Sequence, residues 1–248
     1  MSLLHSFYQQ IKTSYNPWIT SERYPHEKMI DKIIYKIPEN SMILDVGCFT
    51  GKLLSIHQQH QLHGVEPSIE GALVASTENK IKIIGESVTE ELAEVYSGKF
   101  EIITLIDVFE HLLNPTEYLQ LLFKMLKVNG QLIIVTGRTD SYMFNTIGPS
   151  YWYVNIEPHL VFLNKKYLGK LPIKNFTLKY LPVRHYHTSI QKAAKEILWA
   201  IIWCTLSPNN KNKRITLPHF LTRPFNRFRS PMQLTFPKDH VLAQLKKT

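Results

Sequence analysis

The sequence predicts an α/β protein: a seven-stranded, mostly parallel sheet with helices on both faces. Three observations carry this reading. From about Ser41 onward, short apolar runs alternate with stretches of helical spacing, the pattern of strand–helix units wound into one sheet. A glycine-bearing turn, Asp45-Val-Gly47-Cys-Phe-Thr-Gly51, follows the first run. Acidic residues then stand at the ends of successive runs.

Taken in order, the chain starts with an irregular segment bearing Tyr8, Tyr15, Trp18 and Tyr24. An amphipathic helix follows over 26–37, with Met29, Ile30, Ile33, Ile34 and Ile37 on one face. Residues 1–40 are thus read as an N-terminal helical cap. The expected strands are 42–46, 62–65, 81–84, 101–106 and 131–136, rich in Ile, Leu and Val with few charges, as strands buried on both faces require. Helical spacing is expected over 52–60, 68–77, 89–96 and 116–126, with Pro67 and Pro115 in first turns. Asn129-Gly130 supplies left-handed residues before the fifth strand. Two further strands, 176–183 and 241–245, complete the sheet.

Residues 185–237 interrupt the pattern. A helix over 190–206, carrying Trp199 and Trp203, precedes a stretch broken by Pro218, Pro224 and Pro231. About fifty residues hold little core of their own, so this reads as an insertion before the last strand. The main domain is then 41–184 with 238–248. The chain's formal charge is +9, and seven basic residues with no acid lie between 197 and 238: Lys211, Lys213, Arg214, Arg223, Arg227, Arg229 and Lys238. Such a segment suits an anionic partner or a solvated loop. For the helix with its basic sequel (190–229), a lid, a dimer contact, an interfacial element at a membrane surface, or simple completion of the fold all stay open.

Two cysteines, Cys48 and Cys204, make neither a disulfide framework nor a zinc motif. The first residues lack the basic start and apolar stretch of a signal peptide. The longest apolar run is about half a membrane span. A soluble, cytoplasmic protein is expected. The eleven histidines show no ligand spacing with acids or cysteines, so no metal is expected.

The turn after the first strand lets backbone amides approach a ligand closely. Glu66 ends the second run nineteen residues after Gly47, where a carboxylate meets ribose hydroxyls in dinucleotide-type sites. Glu86 ends the third, within reach of an adenine amino group. Asp45, two residues before Gly47, suits a cationic ligand and would repel a pyrophosphate. The spacing also fails the G-x-G-x-x-G template, which disfavours a nicotinamide dinucleotide.

Ile43-Leu-Asp-Val-Gly-Cys-Phe-Thr-Gly51 resembles the first motif of class I S-adenosylmethionine-dependent methyltransferases, usually LDVGCGTG. His63-Gly-Val-Glu-Pro-Ser68 resembles the second motif. The segment from Phe100 through Asp107-Val-Phe-Glu-His111 to Pro115 is similar to the fourth-strand segment, and Leu126-Lys-Val-Asn-Gly-Gln-Leu-Ile-Ile-Val135 to the fifth. The ubiquinone-biosynthesis-like and glycan-associated methyltransferases are the subgroup it most resembles.

The resemblance implies a Rossmann-like domain and S-adenosylmethionine as cofactor, with S-adenosylhomocysteine as product. It puts Asp45, Gly47, Cys48, Phe49 and Gly51 in the cofactor loop. Glu66 and Pro67 fall at the ribose, Glu86 and Ser87 at adenine, and Asp107 at the methionine portion. Phe49 stands where the family usually has glycine. A hydroxyl acceptor needs a group to take its proton; His111, following Asp107, is the first candidate and His159 the second, with Tyr151, Trp152 and Tyr153 as candidate pocket walls. The expected function is O-directed methylation of a small molecule, a lipid intermediate or a glycan sugar. The alternatives are an RNA methyltransferase using the basic segment, disfavoured because no RNA-binding module is visible, and a non-catalytic cofactor-binding or membrane-associating protein of the same fold. Oligomeric state is not legible.

Overall fold

A computed structural model of the chain describes residues 23–141, 144–145, 152–156, 159–183 and 239–248. The expected helix over 190–206, its basic sequel and the early aromatics Tyr8, Tyr15 and Trp18 lie outside these residues.

The first described helix, α1 (Pro25–Ile34), starts on a proline at its N-terminal turn, and the Tyr24 amide donates to the Glu27 carboxylate at 2.7 Å. Strands β1 (Met42–Val46) and β2 (Gln61–Val65) follow, then α2 (Ile69–Thr77), β3 (Lys82–Gly85), α3 (Glu90–Val95) and β4 (Phe100–Ile106). A 3-10 turn over Phe109–His111 leads to α4 (Pro115–Met125), which runs directly into β5 (Leu126–Gly137). A second 3-10 turn (Trp152–Asn155), a short α5 (Lys165–Leu168), β6 (Phe176–Val183) and β7 (His240–Lys247) complete the described chain.

The seven strands lie in the order β3-β2-β1-β4-β5-β7-β6. The β1–β2, β2–β3, β1–β4 and β4–β5 pairs are parallel, and β7 is antiparallel to both β5 and β6. Strand order reverses between β1 and β4, the switch point where open α/β sheets form a crevice at their carboxyl ends. Because β7 runs the other way, its first residue, His240, pairs with Gly137 and arrives at that same carboxyl edge.

Alternation along the strands sends neighbours to opposite faces. Ile43, Ile102 and Ile133 pack with Ile30 and Ile34 of α1 and Ala75 of α2, while Leu44, Ile103 and Ile134 pack with Ala93 of α3 and Leu119 and Leu122 of α4. Both faces are covered, which is why these strands read as continuous apolar runs rather than alternating ones.

Three local expectations differ. Residues 52–60 form successive turns rather than a helix. The Arg23 guanidinium donates to the Lys52 and Leu53 carbonyls, both at 3.0 Å, and so takes up acceptors that a helix would use internally. Pro67 precedes Ser68, the N-cap of α2, instead of entering its first turn. Strand β5 begins five residues early, at Leu126, with Asn129 in the left-handed region (φ 66°).

Candidate active site

The loop after β1 is a run of left-handed turns: Gly47, Phe49 and Gly51 have φ of 72°, 46° and 76°. At Gly47 a β-carbon would fall 2.4 Å from Val108 Cγ2, so a side chain is excluded on steric grounds as well. Phe49 adopts a conformation that costs an L-residue roughly 1–2 kcal/mol, which explains physically why glycine is usual there. Two contacts hold it. Its amide donates to Glu66 Oε2 at 2.7 Å, and its ring lies on Gly71 of α2, where an added β-carbon would meet Cδ2 at 2.9 Å.

Glu66 is buried, and its other oxygen accepts from the Ser68 amide at 2.8 Å. One carboxylate thereby ties the loop after β1 to the start of α2. Burial raises its pKa, and the two amide hydrogen bonds offset only part of that. Ser68 caps α2 by accepting from the Gly71 amide at 3.2 Å. Half-buried Pro67 joins the two. Cys48 is buried with its thiol toward Gly64 and belongs to the core below the loop; burial, with Asp45 and Glu66 nearby, pushes it far up. Glu86 and Ser87 are exposed, just beyond β3.

Asp45 is buried on β1, and Oδ1 accepts from the Thr104 hydroxyl of β4 at 2.6 Å. Burial pushes its carboxyl up to about 7, and the neighbouring charges of Glu66 and Glu27 add to this while Thr104 opposes it. Asp107, just past β4 and also left-handed (φ 51°), is pushed up to about 8 by burial and by Glu110. Acids so destabilised as anions suit a ligand that brings positive charge, as a sulfonium with an α-amino group does. Buried acids beside a loop of left-handed backbone at the switch point fit the charge of S-adenosylmethionine.

A second cluster gathers beside Asp107. Glu110 is buried; Oε2 accepts from the Thr136 hydroxyl at 2.8 Å, and Oε1 accepts from the Tyr153 hydroxyl. The Gly137 amide donates to the same Tyr153 oxygen at 3.1 Å. Tyr153 can lie there only because residue 137 is glycine, since a β-carbon would stand 2.1 Å from its ring. Glu110 also accepts, through its main-chain carbonyl, the Leu160 and Val161 amides at 2.7 and 3.2 Å. This fastens the segment carrying His159.

His111 and His159, the two expected catalytic residues, are brought together with ring centroids 4.9 Å apart. His159 Nδ1 lies 2.8 Å from the Tyr153 carbonyl. A carbonyl only accepts, so Nδ1 carries the proton and Nε2 presents a lone pair. Burial lowers the His159 pKa and keeps it neutral near pH 7. Behind them, His240 meets Asp239 at 2.8 Å. Burial pulls His240 down, yet Asp239, Asp107 and Glu110 together outweigh it and hold it up.

Among the described residues, Glu110, His111 and His159 offer ligand atoms all within 4.8 Å of one another. Sequence spacing gave no hint of this, because 48 residues separate the two histidines. Glu110, Thr136, Asp239 and His240 were not among the expected site residues. The available signal for Glu110 was its place in Asp107-Val-Phe-Glu-His111.

The strand order, with its switch point between β1 and β4, and the left-handed loop beside it are those of a doubly wound, Rossmann-like domain. Comparison with known proteins agrees. A family model described as a methyltransferase domain matches residues 21–174. The chain belongs to this family.

It is similar to a tRNA U34 carboxymethyltransferase of Helicobacter pylori (strain G27), 30% identical over 131 residues, covering 48% of this chain and 49% of that protein. It is also similar to a ubiquinone biosynthesis O-methyltransferase of Pseudomonas paraeruginosa, 26% identical over 117 residues, covering 44% and 50%. The matches span about half the length of these relatives. A solved S-adenosylmethionine-dependent methyltransferase from Archaeoglobus fulgidus shares the fold, with a TM-score of 0.53 at 14% identity, over 90% of this chain and 93% of that one. No described helix is long and apolar enough to cross a membrane.

Proposed function

We propose that the protein transfers a methyl group from S-adenosylmethionine to a hydroxyl of a small molecule, a lipid intermediate or a glycan sugar. When bound, the cofactor supplies a methyl group already activated as an electrophile on sulfonium sulfur. The residues around it have three tasks: to hold the donor, to exclude water from the nucleophile, and to relieve the acceptor of its proton. Asp45 and Asp107 answer the first, by charge. Glu66 fixes the loop and, on this reading, also faces the ribose, with Pro67 beside it; Glu86 and Ser87 border the adenine.

The observation that carries the O-directed reading is the His111–His159 pair beside Glu110. His159 is neutral, oriented by the Tyr153 carbonyl, and directs an available lone pair. A proton acceptor of this kind is needed for a hydroxyl. Mass spectrometry of host extracts incubated with the protein and isotopically labelled donor tests the proposal. Label should enter a hydroxyl-bearing acceptor with the native protein and fall sharply with His111→Ala. Cofactor binding with no labelled product from any extract would favour a binding protein that has lost turnover.

A second reading has its own support. A relative at 30% identity is a tRNA U34 carboxymethyltransferase, and seven basic residues fall between 197 and 238. On this reading that segment contacts phosphates of an RNA acceptor. RNA binding that weakens steeply with salt would favour it, and indifference to RNA would remove it. The same basic segment, with 190–206, would contact anionic lipid if the acceptor is membrane-bound.

A further inference from the structure

We infer that Glu110, His111 and His159 form a binding site for a first-row divalent transition cation. The inference rests on the reading of this edge as the acceptor end, and it changes how the acceptor's proton is lost there.

The ligand set is the first argument. Two imidazoles and a carboxylate with ligand atoms mutually within 4.8 Å suit Zn²⁺, Mn²⁺, Fe²⁺ or Co²⁺. Three protein ligands also leave a coordination position open for an oxygen.

The supporting groups are the second. In metal sites a ligating histidine donates its other ring N–H to a carbonyl or carboxylate, and ligating carboxylates are themselves hydrogen-bonded. His159 does the former, with Nδ1 at 2.8 Å from the Tyr153 carbonyl. Glu110 does the latter twice, through the hydroxyls of Thr136 and Tyr153. Hydroxyl donors leave the carboxylate charge in place and still leave lone pairs on each oxygen. A single residue, Tyr153, orients both a carboxylate and an imidazole, from its side chain and its main chain respectively.

At such a site a hydroxyl oxygen occupying the open position becomes more acidic. Its O–H bond then breaks, the proton leaving to the bulk buffer, and the oxygen keeps the electron pair that forms the new O–C bond as the donor's S–CH3 bond breaks and sulfur keeps that pair, leaving S-adenosylhomocysteine. With the cation bound the histidines act as ligands, while in the metal-free site the same pair takes the proton, so loss of His111 lowers turnover by either route.

The test uses the full chain stripped with a chelator and titrated with Co²⁺, whose visible d–d absorption reports imidazole and carboxylate ligation, alongside calorimetry with Mn²⁺ and Zn²⁺. One Co²⁺ per chain is expected, with affinity reduced about 100-fold or more in His111→Ala and His159→Ala, and about 10–100-fold in Thr136→Val, where only the support is lost. Both histidines are only partly buried, so these variants keep the test readable should Glu110→Gln fail to fold. Undetectable binding, or binding unchanged in both histidine variants, overturns the site. If no cation binds while His111→Ala still lowers turnover, the cation is removed and the acceptor reading survives. Stoichiometric binding with no hydroxyl methylated would support the site and remove the proposed function.

Discussion

The Glu66 carboxylate accepts a hydrogen bond from the main-chain amide of Phe49 at 2.7 Å. With its second oxygen on the Ser68 amide, it joins the loop after β1 to the helix that follows the next strand. Glutamine has a single acceptor oxygen, so Glu66→Gln leaves one of these two amides unpaired, a loss of about 1–3 kcal/mol. Urea denaturation should show that loss. Calorimetry should show weaker S-adenosylhomocysteine binding, because the left-handed Phe49 is then held on one side only. Unchanged values in both would mean that Glu66 neither ties the loop nor meets the ribose.

Asp45 gives a pH prediction. Its carboxyl is pushed up to about 7 by burial. The folded state therefore holds a proton that the unfolded chain releases at lower pH, and stability falls as pH rises from the ordinary carboxylate range through about 7. Asp45→Asn removes this contribution, so its denaturation midpoint should fall less than the native protein's over that interval. A cationic donor favours the carboxylate, so cofactor affinity in the native protein should rise with pH through about 7, with proton release on binding. An affinity independent of pH, with no proton released, would count against Asp45 facing the positive end.

Asp31 runs the other way. It accepts from Arg23 and meets His57 Nε2 at 2.8 Å, so that these partners, against the opposing effect of burial, hold its carboxyl below the usual range. The stability it adds is present above the ordinary carboxylate pKa and is lost as pH falls through the folded value. Asp31→Asn should cost on the order of 3 kcal/mol at neutral pH, and the difference from the native protein should shrink in acid. An equal difference at every pH would show that packing, not charge, is lost.

Gly137 is where a β-carbon would stand 2.1 Å from the Tyr153 ring. Gly137→Ala should displace Tyr153, cost about 1–3 kcal/mol, and free His159 from its fixed tautomer. Turnover should fall further than cofactor affinity. A variant with native turnover would show that Tyr153 does not organise a catalytic Glu110–His111–His159 cluster.

His111→Ala should bind S-adenosylhomocysteine as the native protein does and turn over about 10²–10⁴-fold more slowly, the usual range for loss of proton transfer. Native turnover would exclude His111 from the chemistry.

Much of this architecture was legible because it depends on near-neighbour patterning. Ile43, Ile102 and Ile133 face one side and Leu44, Ile103 and Ile134 the other, so the doubly covered strands show as apolar runs. The loop was legible because Gly47 and Gly51 mark left-handed backbone directly. Residues 52–60 misled because their carbonyls bond to Arg23, about thirty residues upstream. Of the cluster beside Asp107, His111, His159 and Tyr153 were legible as candidates, while Glu110, Thr136, Asp239 and His240 were not. Glu110 and His111, Thr136, Tyr153 and His159, and Asp239 and His240 come from four separate segments. Pairing of β4 with β5 brings Glu110 to Thr136, and the last strand, folded back antiparallel beside β5, delivers Asp239 and His240 to the same carboxyl edge. No local spacing encodes that return.

The central claim is that the loop and acids at the β1–β4 switch point bind the nucleoside donor. Titration calorimetry of the full chain with S-adenosylhomocysteine, native against Asp45→Ala, tests it most directly. One site per chain with saturable heat, lost or greatly weakened in a variant that remains folded, is the predicted result. No binding by the native protein, or equal binding by both, would contradict the account.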